Sequence, residues 1–351
     1  MHELANPVLV EALRGGIVES AHRGAFVVAD AQGGVVHAAG DIERAVFPRS
    51  AIKVMQALPL VESGAADALG LDDAELALAC ASHNGEPEHV RVAASMLAKA
   101  GADDTLLECG THWPYLESAQ HALAAAGRQP GALHNNCSGK HAGFVCLGTV
   151  LCGIGSGSGS GTLRGFLSGY VQAEHPLMVR VTQAVAEVTG ADLSQAPRGV
   201  DGCSIPTYAI PLRKLAQGMA RLATGNALAS ARAQAARRLF AAVAAAPFMV
   251  AGSGRFDTRV MQQLGARVFC KVGAEAVYCA AFPELGLGVA LKMDDGTTAR
   301  AAEVAMAGLI RRHLRLSAAD ASWVDLLADV PLVNWRGVEV GRLRGAAAMS
   351  R

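Results

Sequence analysis

Strand-like runs stand at both ends of this chain, and almost none stand between them. That distribution restricts the fold more than any other feature of the sequence. Residues 25–30 and 34–39 alternate or cluster β-branched side chains around Gln32-Gly33-Gly34, which reads as two short strands joined by a hairpin-like turn. From about 65 to 250 the pattern is alanine-rich and helical, with clear stretches at 87–100, 118–127, 177–189 and 228–246. After Gly254 the runs ARVFCKV, AVYCAAF and GLGVALKM are β-rich and punctuated by Gly, Pro and Asp-Asp-Gly. An amphipathic helix is expected near 298–314, and a last strand over VNWRGVEVG. Strands from both termini around a helical middle predict an α+β fold. One antiparallel sheet is built from N- and C-terminal strands and flanked by helices, with a helical second lobe. The expected organisation is a single domain over 1–351. Its sheet lobe takes about 1–64 and 254–351, and its helical lobe about 65–253.

Composition narrows the partners. Hydrophobic residues make up 51% of the 351 residues, mean hydropathy is +0.27, and 31 basic residues balance 31 acidic ones. Such a chain can bury a large core. Its neutral, unclustered charge argues against a nucleic-acid groove or an acidic membrane surface as partner. The N-terminus carries Glu3 and Glu11 and no basic segment before an apolar stretch, so no secretion signal is expected. No uncharged apolar run is long enough for a membrane span. A cytoplasmic location is expected. There the eight cysteines should be mostly buried thiols, and no CxxC pair is present among them. A small uncharged or zwitterionic molecule is the expected substrate.

Only six of the 31 basic residues are lysine, at 53, 99, 140, 214, 271 and 292. Arginine serves for routine surface charge, so a surviving lysine is a candidate for a role that arginine cannot take. Lysine can lose its proton in a protein, and arginine cannot. Phe47-Pro48-Arg49-Ser50 leads into AIKVMQALPLVESG, a helical pattern that Pro59 should kink or shorten. Ser50 and Lys53 then lie one helical turn apart, a hydroxyl beside an amine that can act as its base. Alone this spacing is a weak signal, since a helix-start serine near a surface lysine is common. Ser82-His83-Asn84 adds an S-x-N triplet, and Lys271-Val272-Gly273 adds a K-x-G triplet on an expected strand. Serine acyl-transfer enzymes of the penicillin-recognising type carry S-x-x-K, S-x-N and K-x-G in that order.

A second cluster, HNNCSGKHAG over 134–143, is polar and glycine-rich and feeds an apolar run; Asp201-Gly202-Cys203 is a turn of similar flavour. Two thiolates with a nitrogen donor can hold zinc. Two buried thiols beside a glycine-rich substrate loop would give the same sequence, and the residues alone leave both readings open. The run Gly155–Gly161 alternates glycine and serine and reads as a surface loop without chemistry.

FPRSAIKVMQAL, ASHNGEPEHV, HNNCSGKHAGF, GVDGCSIPTYAIPL and FCKVGAEAVYC together resemble the rhizobial-type, or class 3, L-asparaginases of the asparaginase II family. The resemblance implies a fold like that of serine β-lactamases and glutaminases, and hydrolysis of L-asparagine to L-aspartate and ammonia. It implies two Ser–Lys tandems, Ser50 with Lys53 and Ser82 with Lys271. It implies one zinc per chain near the substrate at Cys137, Lys140 and Cys203, structural or substrate-orienting. Arg49, His141, Asp201 and Asn84 match positions expected to bind substrate. A homodimer is expected by the same resemblance. A glutaminase, a β-lactamase-like hydrolase and an amino-acid-binding sensor on the same scaffold are the competing expectations.

Overall fold

The computed structural model describes residues 5–153 and 162–349. The Gly-Ser run expected to form a surface loop lies outside the described residues. The chain divides into two compact units: one of residues 5–51, 209–224 and 270–349, the other of 52–153, 162–208 and 225–269.

The strands are, in chain order, β1 (Val8–Arg14), β2 (Ile17–Asp30), β3 (Val35–Ala39), β4 (Ala45–Val46), β5 (Arg198–Val200), β6 (Pro206–Tyr208), β7 (Ile210–Pro211), β8 (Phe269–Val272), β9 (Val277–Phe282), β10 (Leu287–Met293), β11 (Asp329–Val333) and β12 (Glu339–Gly345). The first unit is built on an antiparallel sheet ordered β11-β12-β1-β2-β10-β9-β8, with β3 also paired to β2. The sheet therefore does draw its strands from both ends of the chain, and the expected α+β class holds. The long strand β2 joins its parts. Its first half pairs with β1, and its second half with β3 on one side and β10 on the other. From Gly24 to Ala29 every residue of β2 is buried. Continuous burial needs cover on both faces. The helix Leu212–Thr224 supplies one cover, packed along β2, β9 and β10, and the turn Thr298–Ala302 with the helix Glu303–His313 packs against β10, β9, β1 and β12.

Several boundaries differ from the sequence expectation, each for a physical reason. The helix Leu212–Thr224 belongs to the sheet unit although it sits within the alanine-rich middle of the chain. Periodicity reports which face of a helix is apolar, not which layer it covers. The sheet unit begins and ends at 51 and 270 rather than 64 and 254. VNWRGVEVG is not one strand. Asn334 turns the chain back, its side-chain oxygen accepting from the Arg336 and Val338 backbone N–H groups, so that β11 and β12 pair as a hairpin. Pro59 lies inside the helix Lys53–Glu62, which runs three residues past it. Every residue from Lys53 to Leu60 is buried, so packing holds the turn despite the missing hydrogen bond.

The second unit is helical. The Lys53–Glu62 helix packs against Ser138–Leu151, Pro176–Thr189 and Ser230–Ala245. A two-stranded ribbon, β5 with β6, brackets the turn at Asp201–Ser204. Among the described residues no helix is long and apolar enough to cross a membrane.

Gly288 shows how tightly the sheet unit is packed. A Cβ there would collide with the Ala216 carbonyl and lie 2.5 Å from the Ala220 nitrogen, both backbone atoms of the covering helix. Gly288→Ala is expected to cost about 2–3 kcal/mol by overpacking. Urea unfolding should show it as a lower midpoint; an unchanged midpoint would mean that this helix is not held against β10.

Candidate active site

Three of the six lysines, Lys53, Lys140 and Lys271, are 1%, 1% and 0% exposed; among core residues this is rare unless the charge is paired or the amine has a task. These are the three lysines that the sequence motifs single out. The other three are not buried.

In the helical unit, Lys53 opens the Lys53–Glu62 helix and carries its amine to the end of the Asp73–Ala79 helix and the loop after it. Its Nζ lies 2.8 Å from Ser82 Oγ and 3.1 Å from Cys137 Sγ, and it also donates to the Ala81 carbonyl. Three partners saturate an ammonium. A neutral amine could keep two of them as acceptors and turn its lone pair to the Ser82 proton. Ser82 is fixed from behind by its backbone N–H, which donates to the Val250 carbonyl at 2.8 Å.

Cys137 and Lys140 flank the start of the Ser138–Leu151 helix, and the β5–β6 turn carries Cys203. The structure brings Lys140 Nζ to 2.9 Å from Cys203 Sγ. A hydrogen bond with Cys203 holds the Cys137 thiol well below its usual range; burial opposes this, and the Lys53 and Lys140 charges reinforce it. Cys203 shifts the opposite way, raised by the same hydrogen bond and by burial. Burial works against the Lys140 charge, but the two sulfurs and Asp201 outweigh it and raise its pKa. Cys137, Cys203 and Lys140 thus form one connected polar group. Two sulfurs and an amine suit zinc by donor chemistry, provided the amine is deprotonated. Among the described residues no three His, Cys, Asp or Glu side chains group as a metal site.

The remaining sequence candidates of this unit fall around the same loops. Asp201 caps its own turn, its carboxylate accepting from the Gly202 N–H at 2.7 Å. Asn84 is engaged on both sides of its amide: Nδ2 donates to the Ser253 carbonyl at 3.1 Å and to Glu86 at 3.3 Å, and Oδ1 accepts from Arg255 at 3.2 Å. His141 is fully buried, with Nδ1 2.7 Å from the Tyr170 hydroxyl and Nε2 without a hydrogen-bond partner. Burial first, then Lys140 and Lys53, hold this imidazole neutral, far below the usual histidine range.

In the sheet unit, Ser50 is half-buried in the turn Arg49–Ile52, which runs straight into the Lys53–Glu62 helix. The Ala51 N–H closes the turn on the Pro48 carbonyl at 3.0 Å. Arg49 has φ +50°, a left-handed conformation uncommon for a residue with a side chain. Gly273, the glycine of K-x-G, lets β8 reach this turn. A Cβ there would sit 2.6 Å from the Pro48 carbonyl and 3.1 Å from the Ala51 nitrogen. Lys271 donates to the Val272 carbonyl at 2.9 Å.

Sequence reasoning missed His83, Glu86 and Tyr170. His83 Nδ1 accepts from the Gly85 N–H at 3.0 Å, and Nε2 pairs with Ser138 Oγ at 2.9 Å, tying the Ser82 loop to the helix of Lys140. Glu86 accepts from the Ser253 N–H and hydroxyl at 2.8 and 2.7 Å. Adjacency to the S-x-N triplet was an available signal for the first two; Tyr170 offered none.

A protein-family model described as L-asparaginase II matches residues 10–345. A search of curated proteins gives no match. Similar solved structures include a protein titled Mglu in its Tris and glutamate form, at 15% identity and TM-score 0.35, covering 89% of this chain and 64% of that one. The native form of Mglu is 16% identical at TM-score 0.35, covering 84% and 66%. This chain thus spans less than two thirds of the first of these.

Two histidines of the site predict a pH dependence. Burial drives the pKa of His83 well below 6.5 and lowers that of His89, which stacks on it at 4.7 Å. Each is held as a neutral ring by a backbone N–H on Nδ1. Below about pH 6.5 the unfolded chain takes up protons that the folded one refuses, so stability falls with falling pH. The slope is about 1.4 kcal/mol per pH unit for each fully resisting histidine. Urea midpoints should drop between pH 7 and 5.5, and less in His89→Gln; equal drops would clear His89 of this role.

Proposed function

Because the chain belongs to the L-asparaginase II family, we propose that it is an amidohydrolase that converts L-asparagine to L-aspartate and ammonia. The observation that carries the reading is the buried Lys53 amine 2.8 Å from Ser82 Oγ. A buried amine is either paired or has a task, and its contact with a serine hydroxyl supports a proton-exchanging role.

In the proposed reaction Ser50, deprotonated by the neutral amine of Lys53, attacks the side-chain amide carbon. Ser82 and Lys271 relay a proton to the departing ammonia. Water then cleaves the aspartyl ester by the reverse relay. Backbone N–H groups, that of Ser50 among them, hold the oxyanion. Arg49, Asn84, Asp201 and His141 contribute substrate binding. The direct Lys53–Ser82 hydrogen bond favours a second reading, in which Ser82 attacks and Ser50 relays.

Cys137, Cys203 and Lys140 would hold one zinc ion, which when bound supplies a positive centre that orients the amino-acid head of the substrate. The polar connection of the two sulfurs and the amine supports this assignment. The protein is proposed to work in the cytoplasm as a homodimer, with no nucleic-acid or membrane partner.

Ammonia release from asparagine, glutamine and a chromogenic β-lactam, measured side by side, tests the substrate. Asparagine should be turned over fastest, and asparagine binding without ammonia release would leave a sensor instead. Ser50→Ala, Ser82→Ala and Lys53→Met should each lower kcat at least about 1,000-fold. Mass spectrometry of quenched reactions separates the two serines: an acyl adduct that persists in Ser50→Ala makes Ser82 the nucleophile. Elemental analysis should find zinc in the wild-type protein and little in Cys137→Ala or Cys203→Ala. Unchanged zinc in both variants would remove these ligands.

A further inference from the structure

His141 presents a problem of proton placement that only one arrangement solves cheaply. The residue lies in the first turn of the Ser138–Leu151 helix and is 0% exposed, as is Tyr170. Its Nδ1 is 2.7 Å from the Tyr170 hydroxyl, and the Glu108 backbone N–H donates to that same hydroxyl at 2.9 Å. A phenol has one proton to give and two lone pairs to receive with.

Suppose Nδ1 carried the ring proton. The hydroxyl would then accept twice, its own proton would have no acceptor, and Nε2 would be a bare acceptor with no donor. Two buried groups would be orphaned. Suppose instead that the hydroxyl donates to Nδ1. Every group in the chain from Glu108 to His141 is then satisfied, and a single orphan is left, an N–H at Nε2. The second arrangement costs one unmatched group rather than two.

Tyr170 is itself held in place. The Glu108 carboxylate accepts from the Gly169 N–H at 2.7 Å and the Val171 N–H at 3.4 Å, so one residue grips the backbone on both sides of the tyrosine and its hydroxyl as well. The imidazole ring is braced between Phe144 and Tyr170, at 5.6 Å from each. The clamp on Nδ1 leaves Nε2 as the one ring nitrogen without a hydrogen-bond partner.

We propose that Tyr170 locks His141 as the Nε2–H tautomer, so that His141 is a hydrogen-bond donor to a carboxylate oxygen of the amino-acid substrate and not a fourth ligand of a metal held by Cys137, Lys140 and Cys203. A ring nitrogen that carries a proton has no lone pair in the ring plane to give to a metal. The donor is buried. A buried N–H must be matched by an acceptor, and the carboxylate oxygens are the strongest acceptors that an amino-acid substrate offers. Tyr170 acts through His141 and is a positioning residue; it had no sequence signature. The identity of the acceptor rests on the amidohydrolase reading, whereas the tautomer does not.

Nitrogen-15 NMR of the full-length protein labelled at histidine reads the tautomer directly, with and without zinc. His141 should show an unprotonated Nδ1 and a protonated Nε2 in both states. A protonated Nδ1 in the wild-type protein overturns the proposal. Tyr170→Phe should weaken or invert the preference, and the wild-type spectrum decides the matter alone if that variant does not fold. For the donor role, His141→Ala should raise the KM for asparagine roughly 10- to 100-fold with kcat changed less than about 3-fold. His141→Gln, whose amide N–H reaches a similar point, should recover at least about 5-fold of that loss. Equal KM values for the two variants overturn the donor role, and loss of zinc from His141→Gln makes the residue a ligand. A wild-type protein that releases no ammonia from asparagine refutes the proposed function and leaves the NMR result standing.

Discussion

The amine of Lys53 is the constraint around which the helical unit is organised. A buried amino group must have partners for its protons, and here three come from two separate stretches: the Ala81 carbonyl and the Ser82 hydroxyl from one, and the Cys137 sulfur from the other. The first is the loop that follows the Asp73–Ala79 helix, and the second opens the Ser138–Leu151 helix. Removing the amine would leave the Ser82 hydroxyl and the Cys137 sulfur short of a donor at once. The helix that carries Lys53 is buried along nearly its whole length, so the amine cannot withdraw to solvent by a change of rotamer. The position of the amine is therefore over-determined.

The polar interior continues outward from that amine. Cys137 connects it to Cys203 and Lys140, and His83 connects the Ser82 loop to Ser138. Opposed shifts alternate through this group: a Cys137 thiol lowered, a Cys203 thiol raised, and a Lys140 amine whose pKa the sulfurs and Asp201 raise against burial. Such networks are costly when half-satisfied and specific when complete. Histidines His83 and His89 solve the same problem differently, as neutral rings with a backbone donor on one nitrogen and an acceptor at the other.

Much of this was legible in the sequence, and the reason is chemical. Lysine scarcity made all six lysines candidates, the S-x-x-K, K-x-G and glycine-rich motifs singled out Lys53, Lys140 and Lys271, and these three are the buried ones. The glycine of K-x-G was legible too, since Gly273 stands where no Cβ fits against the Pro48 carbonyl. The sheet drawn from both termini followed from where the β-branched runs lie. The rest depended on contacts that no local pattern encodes. The N-terminal strand β1 lies in a segment without clear alternation and is defined by its partners β2 and β12. The Leu212–Thr224 helix covers the sheet because Gly288 admits it. Pro59 is tolerated because the surrounding helices bury it. The bond of Lys53 to Ser82 joins residues 29 apart, and spacing motifs pair Lys53 with Ser50 instead.

Tyr170 marks the limit of reading function from motifs. It follows a short helix and lies outside every motif in the sequence. Its importance comes from one proton. The hydroxyl already receives the Glu108 N–H, so its own hydrogen must go to His141, and that transfers the donor role to the far side of the imidazole. A motif specifies which side chains are present, whereas the buried neighbours specify which of their atoms carry hydrogen. For lysines, thiols and histidines packed this closely, the second specification decides what each group can do to a substrate.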